Sequence, residues 1–359
     1  MNRYGASREQ VDELLASWGE PAYRAGQVWD GLYAQRTPLE DVTNLPRKLR
    51  SRVADALPLA LEPVYEATAA DGLTTKWLWQ VARDGIQIET VLMRSAQRAT
   101  VCVSSQAGCA MACTFCATGQ AGLDRHLDAG EIVEQVVRAQ HGSPQRVSNV
   151  VFMGMGEPLA NYDATWAAVE RLHHDLGISA RHLTVSTVGV VPGMRRLATE
   201  SLPVTLAVSL HAPDDALRET LVPLNRRYPI ADVLDAAVDV AGAHGRRVSF
   251  EYAAIAGIND RPEQAEALGR LLARWPGVGG AHVNVIPLNP TAGFPGRASS
   301  PARLRAFAEG VRRFGVNTTI RRNRGVDIDA ACGQLRTRLT GPSVAAVPNP
   351  AARPARMGS

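Results

Sequence analysis

The sequence predicts an α/β fold, a partial (β/α)6 barrel preceded by a small helical domain and a linking β-hairpin. Three observations carry that expectation. From about Thr100 the chain alternates short β-branched runs with longer amphipathic ones. Asp84-Gly85 separates two strand-like runs just upstream. Before them, apolar residues recur at helical spacing between breaking prolines.

Val11, Leu14, Leu15 and Trp18 mark a first helix. Val28, Trp29, Leu32 and Tyr33 mark a second over Ala22–Ala34, and Pro38 and Pro46 divide the next stretch into short elements. Thr75–Val81 alternates around Trp77 and Trp79, and Ile86–Leu92 answers it across the Asp84-Gly85 turn. Strands are then expected at Thr100–Val103, Asn149–Phe152, His182–Ser186, Val204–Val208, Arg247–Tyr252 and His282–Ile286, with a last strand at Asn317–Ile320. The intervening helices are Ala129–Gln140, Ala164–His173, Gly193–Thr199, Ile230–Ala243, Gln264–Ala273 and Pro301–Phe314. Strand–helix units in series imply parallel strands with helical crossovers. Six units fall short of the eight of a closed barrel; a doubly wound sheet is the alternative. Either way, ligands belong at the C-terminal strand ends. The expected division is 1–60 helical domain, 61–98 hairpin, 99–340 barrel, and 341–359, rich in Pro and Ala, a tail without fixed structure.

Across the 359 residues, 45% are hydrophobic and 21% charged, which suits a sizeable core. No apolar run reaches the roughly 18 residues of a membrane span. The first residues hold no secretory signal core, so the expectation is a cytoplasmic protein. The net charge of +4 is modest. Its distribution is uneven: Arg47, Lys48, Arg50 and Arg52 cluster early, and Arg312, Arg313, Arg321, Arg322 and Arg324 late. Such clusters suit a phosphate-rich partner, through counterion release, though an ordinary solvated surface would look the same.

An odd count of five cysteines argues against a disulfide framework. Cys109, Cys113 and Cys116 form CxxxCxxC just after the first barrel strand. Three thiolates can hold three irons of a [4Fe–4S] cubane and leave the fourth open. The amino and carboxylate groups of S-adenosylmethionine can chelate that iron. The rival is structural zinc with His126 or Cys102 as fourth ligand, but zinc sites usually pair two CxxC or HxxxH arms and only one occurs here. Gly154-Met155-Gly156-Glu157 follows the next strand; its glycines let backbone approach a ligand, and Glu157 can accept from an ammonium or a ribose hydroxyl.

Together Cys102-Val-Ser-Ser-Gln-Ala-Gly-Cys109, the cluster motif, Gly154-Met-Gly-Glu-Pro158, Ser209-Leu-His211 and Asp327-Ile-Asp-Ala-Ala-Cys-Gly-Gln334 resemble the RlmN family. These are dual-specificity radical SAM methyltransferases acting on adenine C2 in ribosomal and transfer RNA. The resemblance runs to about Arg338. It implies a radical SAM barrel and two S-adenosylmethionine molecules per turnover. The substrates it implies are 23S rRNA at the peptidyl-transferase centre and tRNA at the adenine 3′ of the anticodon. It further implies a flavodoxin-type electron donor, no membrane association and a monomer.

The same resemblance implies site roles. Cys332 would take a methyl group from a first S-adenosylmethionine, and the cluster would cleave a second to a 5′-deoxyadenosyl radical. Hydrogen abstraction from the Cys332 methyl would let the methylene radical add to the base. Glu89, or else Cys102, would accept the ring proton, and Cys102 would release the covalent RNA adduct by forming a disulfide with Cys332. Gly156, Glu157, Ser186, Ser209, Leu210, His211 and Asn289 match positions contacting S-adenosylmethionine. The chemistry fits: adenine C2 is too poor a nucleophile for polar methyl transfer, and covalent catalysis divides the difficult step. Read from residues alone, Cys102 would be a buried cysteine, Glu89 an exposed carboxylate and His211 a capping histidine. The target base must first leave its stack, and the helical domain with Arg47, Lys48, Arg50 and Arg52 is a candidate RNA clamp. A Cfr-like enzyme methylating adenine C8 of 23S rRNA shares the same cysteines. A non-catalytic, metal-containing RNA-binding protein is the reading from another class.

Overall fold

The computed structural model describes residues 2–321, 325–331 and 333–335. The expected tail over 341–359 and Cys332 lie outside the described residues.

Three helices open the chain: α1 (Arg8–Ser17), α2 (Tyr23–Trp29) and α3 (Arg47–Ala56). Ser7 and Gln10 close a capping box on α1, and α2 runs on through a π-helical turn to Ala34. Three antiparallel strands follow, β1 (Leu61–Thr68), β2 (Thr74–Val81) and β3 (Gln87–Arg94). The expected hairpin is β2–β3, with Gly85 at φ 75° in its turn. The added strand β1 is the sheet edge. Pro63 lies at a register shift there, where a missing N–H costs least.

The parallel part begins with β4 (Ala99–Cys102), which pairs antiparallel with β3 on one side. A small hairpin, β5 (Gln106–Gly108) and β6 (Leu123–His126), encloses the short helix α4 (Ala117–Ala121). Then come α5 (Ala129–His141), β7 (Val147–Phe152), α6 (Tyr162–His174), β8 (Leu183–Thr187), α7 (Val191–Leu197) and β9 (Thr205–Ser209). The series ends with α8 (Asp215–Leu221), α9 (Ile230–His244), β10 (Ser249–Ala254), α10 (Pro262–Ala273), β11 (His282–Pro287), α11 (Pro301–Arg312) and β12 (Asn317–Ile320).

One ten-stranded sheet runs in the order β1-β2-β3-β4-β7-β8-β9-β10-β11-β12. Every pairing from β4 to β12 is parallel. This is the predicted partial barrel, its six crossover helices where the periodicity put them. The sheet faces are buried Val, Leu, Ile and Phe, including Val101, Val150, Phe152, Val185, Val208, Phe250 and Val283. The opening helices share that buried cluster through Tyr4, Leu15, Val28 and Val53.

Polar ties fix their position. Glu134 on α5 accepts from the Ala60 and Leu61 N–H groups at 2.8 and 3.0 Å. Arg171 on α6 donates to the Tyr4 carbonyl at 2.7 Å. Among the described residues no helix is long and apolar enough to cross a membrane.

Candidate active site

The C-terminal ends of the parallel strands surround a cavity. The cysteine loop supplies Cys113, Phe115 and Cys116; β7 and its turn supply Gly154, Gly156 and Glu157. Ser186 from β8, Ser209 at the end of β9, His211 just beyond it, Glu251 from β10 and Asn289 beyond β11 complete it. The fold therefore gathers most of the candidate cofactor contacts at one mouth, where parallel α/β sheets bind ligands.

Cys109 follows β5, and its N–H donates to the Gly122 carbonyl at 2.7 Å, closing the base of the loop. Ala112 turns the chain at φ 53°, unusual for a residue with a side chain. The Cys116 N–H donates to the Cys113 carbonyl, and the Ala117 N–H to the Gly333 carbonyl at 2.8 Å. Cys109 and Cys113 are buried, and Cys116 is partly exposed.

Burial pushes the Cys109 thiol up to about 12, with Glu157 and Cys116 adding to the rise. Burial and the two neighbouring cysteines drive Cys113 well above its ordinary value. As bare thiols Cys109 and Cys113 resist ionisation; bound iron would supply the missing positive charge, so the donor set fits a cluster. Among the described residues no three His, Cys, Asp or Glu side chains converge closely enough to hold one metal ion. His126, the zinc alternative's fourth ligand, sits on β6 with Nδ1 against Gln106 Nε2 at 2.9 Å.

Glu157 is buried, and burial raises its pKa to about 7. Oε1 accepts from the Leu159 N–H at 3.1 Å and Oε2 from the Val188 N–H at 2.9 Å. Each oxygen keeps a lone pair for a ligand donor. The glycines beside it answer a different need from ligand approach alone. A Cβ on Gly154 would stand 2.6 Å from the Val103 carbonyl oxygen, and one on Gly156, at φ +100°, 2.7 Å from the Gln106 nitrogen. The turn must pass this close to the chain after β4, and only glycine permits it.

His211 is no capping residue. It sits at φ 62° and is buried. Its Nδ1 accepts from the Ala253 N–H at 3.0 Å. A backbone N–H can only donate, so Nδ1 is unprotonated and Nε2 carries the hydrogen. Burial, then Arg218, lower its pKa to about 3. Its ring meets Phe115 edge-on at 4.9 Å. Leu210 does not line the cavity; its N–H donates to the Glu251 carbonyl and its own carbonyl accepts from Arg218 Nε.

Glu89 and Cys102 lie outside the cavity lining, on β3 and β4. Cys102 ends β4 opposite Val91 and Val151 and is buried, as the residues suggested. Glu89 corrects the exposed reading. It is 5% exposed and its Oε1 stands 3.4 Å from Lys76 Nζ, also buried. Lys76 in turn donates to the Asp329 carbonyl at 3.3 Å.

Sequence reasoning passed over Lys76 and Glu251, and noted Arg321 only as part of a basic cluster. Glu251 lines the cavity, accepts from Ser249 Oγ at 2.7 Å and Asn284 Nδ2 at 2.9 Å, and faces Arg321 Nη1 at 3.4 Å. A charged residue inside an apolar strand is the signal that marks Glu251. In the basic clusters, Arg50 donates to the Glu40 carbonyl and Arg52 lies over the Trp18 ring at 4.1 Å. Arg47 and Lys48 are exposed, and Arg312 donates to the Thr318 carbonyl. Arg322 and Arg324 lie outside the described residues.

Residues 103–268 match the Radical SAM superfamily model. A protein of Frankia alni named probable dual-specificity RNA methyltransferase RlmN is 53% identical, over 93% of this chain and 83% of its own length. A Chloroflexus aurantiacus protein of the same name is 49% identical over 94% and 93%. The crystal structure of a radical SAM methyltransferase from Sphaerobacter thermophilus superposes with TM-score 0.88 and 48% identity, covering 94% of this chain and all of that one. By these likenesses the chain belongs to the RlmN family of radical SAM enzymes, which methylate RNA.

Proposed function

We propose that this enzyme methylates C2 of adenine, in 23S rRNA at the peptidyl-transferase centre and in tRNA at the adenine 3′ of the anticodon. The observation that carries the reading is the convergence of Cys113, Cys116, Glu157, Ser186, Ser209, His211 and Asn289 on one cavity, in a chain whose relatives are named RNA methyltransferases.

Membership of the family implies a [4Fe–4S] cluster and S-adenosylmethionine. Cys109, Cys113 and Cys116 are the proposed ligands of one cluster per chain. When bound, such a cluster supplies the electron that cleaves S-adenosylmethionine to a carbon radical. The chain's own groups prepare the ground. Glu157 offers acceptor lone pairs to an ammonium or hydroxyl. His211 holds its proton on Nε2 and stays neutral across physiological pH, so it can donate without adding charge. Ser186, Ser209 and Asn289 orient the cofactor, and Phe115 and Phe152 exclude water.

Cys332 is the proposed methyl carrier and Cys102 the proposed resolving thiol, with two S-adenosylmethionine molecules used per turnover. Glu89 is the proposed proton acceptor; its Oε1 lies 3.4 Å from Lys76 Nζ. The helical domain, with Arg47 and Lys48 exposed, is the proposed RNA clamp. A monomer working in the cytoplasm with a flavodoxin-type donor completes the proposal.

The test is anaerobic reconstitution, incubation with ribosomal and transfer RNA separately, and mass spectrometry of the nucleosides. The proposal expects 2-methyladenosine from both. 8-Methyladenosine would reassign the enzyme to the C8 reaction, and RNA methylated by Cys332→Ala would refute the two-cysteine route.

A further inference from the structure

Arg218 on α8 is fully buried, at 0% exposure. Its guanidinium donates to the Leu210 carbonyl at 3.0 Å, Asn225 Oδ1 at 2.8 Å, the Val188 carbonyl at 2.6 Å and the Ser209 carbonyl at 3.2 Å. All four acceptors are uncharged. Asp215 reaches it only at second hand: its Oδ1 accepts from Asn225 Nδ2 at 2.9 Å and from the Ile230 N–H at 2.8 Å. A buried cation without a charged partner is costly. Four hydrogen bonds engage four of its five N–H donors but do not neutralise it.

Negative charge is expected close by. Cys113 packs in one buried cluster with Leu221 and Val222, the residues that end α8. The Thr114 N–H donates to the Leu221 carbonyl at 3.0 Å, and the Val222 N–H to the Arg218 carbonyl at 2.7 Å. The cysteine loop and the helix bearing Arg218 are thus tied together. Val188, whose carbonyl the Arg218 guanidinium holds, packs against the same buried cluster as Cys113.

We propose that Arg218 is the fixed counter-charge of the iron–sulfur cluster and raises its reduction potential, while its fork holds the Ser209–Leu210 backbone at the cavity wall. The proposal rests on reading Cys109, Cys113 and Cys116 as cluster ligands. With three thiolates, the oxidised [4Fe–4S] unit carries one net negative charge and the reduced unit two. Reduction takes one electron from an external low-potential donor and makes or breaks no bond. A fixed cation favours the more negative state, so its removal makes reduction harder. Arg218 is a positioning and electrostatic residue rather than a catalytic one.

The test compares reconstituted full-length wild type, Arg218→Gln and Arg218→Lys by iron analysis and a redox titration followed by electron paramagnetic resonance. Arg218→Gln should shift the reduction equilibrium at least about tenfold toward the oxidised form, a midpoint roughly 59 mV more negative. Arg218→Lys, which keeps the charge but not the fork, should stay within about threefold of wild type. Arg218→Gln failing to load iron, while Arg218→Lys loads it at the wild-type potential, would equally support the charge. An unchanged potential in Arg218→Gln, or equal damage in both variants, would overturn the proposal. Wild type that takes up no cubane would instead refute the cluster reading beneath it.

Discussion

Replacing His211 by Asn tests the site's electrostatics without dismantling it. Asn Oδ1 occupies the position along the side chain that Nδ1 holds in histidine. It can keep the 3.0 Å bond from the Ala253 N–H. Asn also tolerates the left-handed backbone that His211 adopts at φ 62°. The ring edge against Phe115 is lost, and so is the titratable group. Near pH 8 the variant should be less stable by about 1–2 kcal/mol, from the aromatic contact and the space left behind.

The pH dependence is more telling. The folded pKa of His211 is depressed from 6.5 to about 3, so the unfolded chain takes up the proton first. Its contribution is complete above about pH 6.5 and is lost progressively as pH falls toward 3. Near pH 5, about 1.5 pH units below the unfolded value, roughly 2 kcal/mol is gone, at about 1.36 kcal/mol per unit. The Asn variant has no such loss. Urea unfolding of both apoproteins under reducing conditions, from about pH 8 to 5, should show the gap between them closing or reversing. The buried carboxyls are common to both and cancel in the difference. A gap constant to within about 0.5 kcal/mol would refute the neutral, buried acceptor.

Gly156→Ala places a Cβ 2.5 Å from Gln106 Cβ and 2.7 Å from its nitrogen at φ +100°; it should cost roughly 2–4 kcal/mol in a melting experiment and weaken S-adenosylmethionine binding by calorimetry. Lys76→Met removes the cation 3.4 Å from buried Glu89 and should destabilise the fold by about 3–5 kcal/mol, with Lys76→Met/Glu89→Gln recovering part of it in a double-mutant cycle. Glu134→Ala takes the acceptor from the Ala60 and Leu61 N–H groups; roughly 2–5 kcal/mol should be lost, and limited proteolysis should cut first in the opening helices.

Much of the fold was legible because its elements are strongly periodic. Ile230, Val233, Ala237, Val240 and Ala241 line one face of α9, and Ala129–His141 opens with the Asp128–Glu131 capping box. The cysteine spacing named the loop, and the family resemblance named Ser186 and Ser209. What escaped depends on contacts between distant segments. The edge strand β1 carries Glu62, Pro63 and Glu66, which mask its pattern. Glu89 looked solvent-facing, and Lys76 drew no notice, because period-2 alternation assumes one wet face. Here β2 is buried on both, with Lys76 against the loop that holds Asp329 and Ala70 bonded to Asp327. Arg218 gave no signal, since its partners lie in three separate turns.

The whole mechanism depends on the proposal that Cys109, Cys113 and Cys116 hold a cubane whose open iron takes S-adenosylmethionine. Electron paramagnetic resonance of the reduced, reconstituted enzyme, with and without S-adenosylmethionine, tests it most directly. The prediction is a cubane signal that shifts when S-adenosylmethionine is added, that persists in Cys102→Ala, and that disappears when any one of the three cysteines becomes alanine. A signal indifferent to S-adenosylmethionine, or one that survives loss of Cys109, Cys113 or Cys116, would contradict the claim.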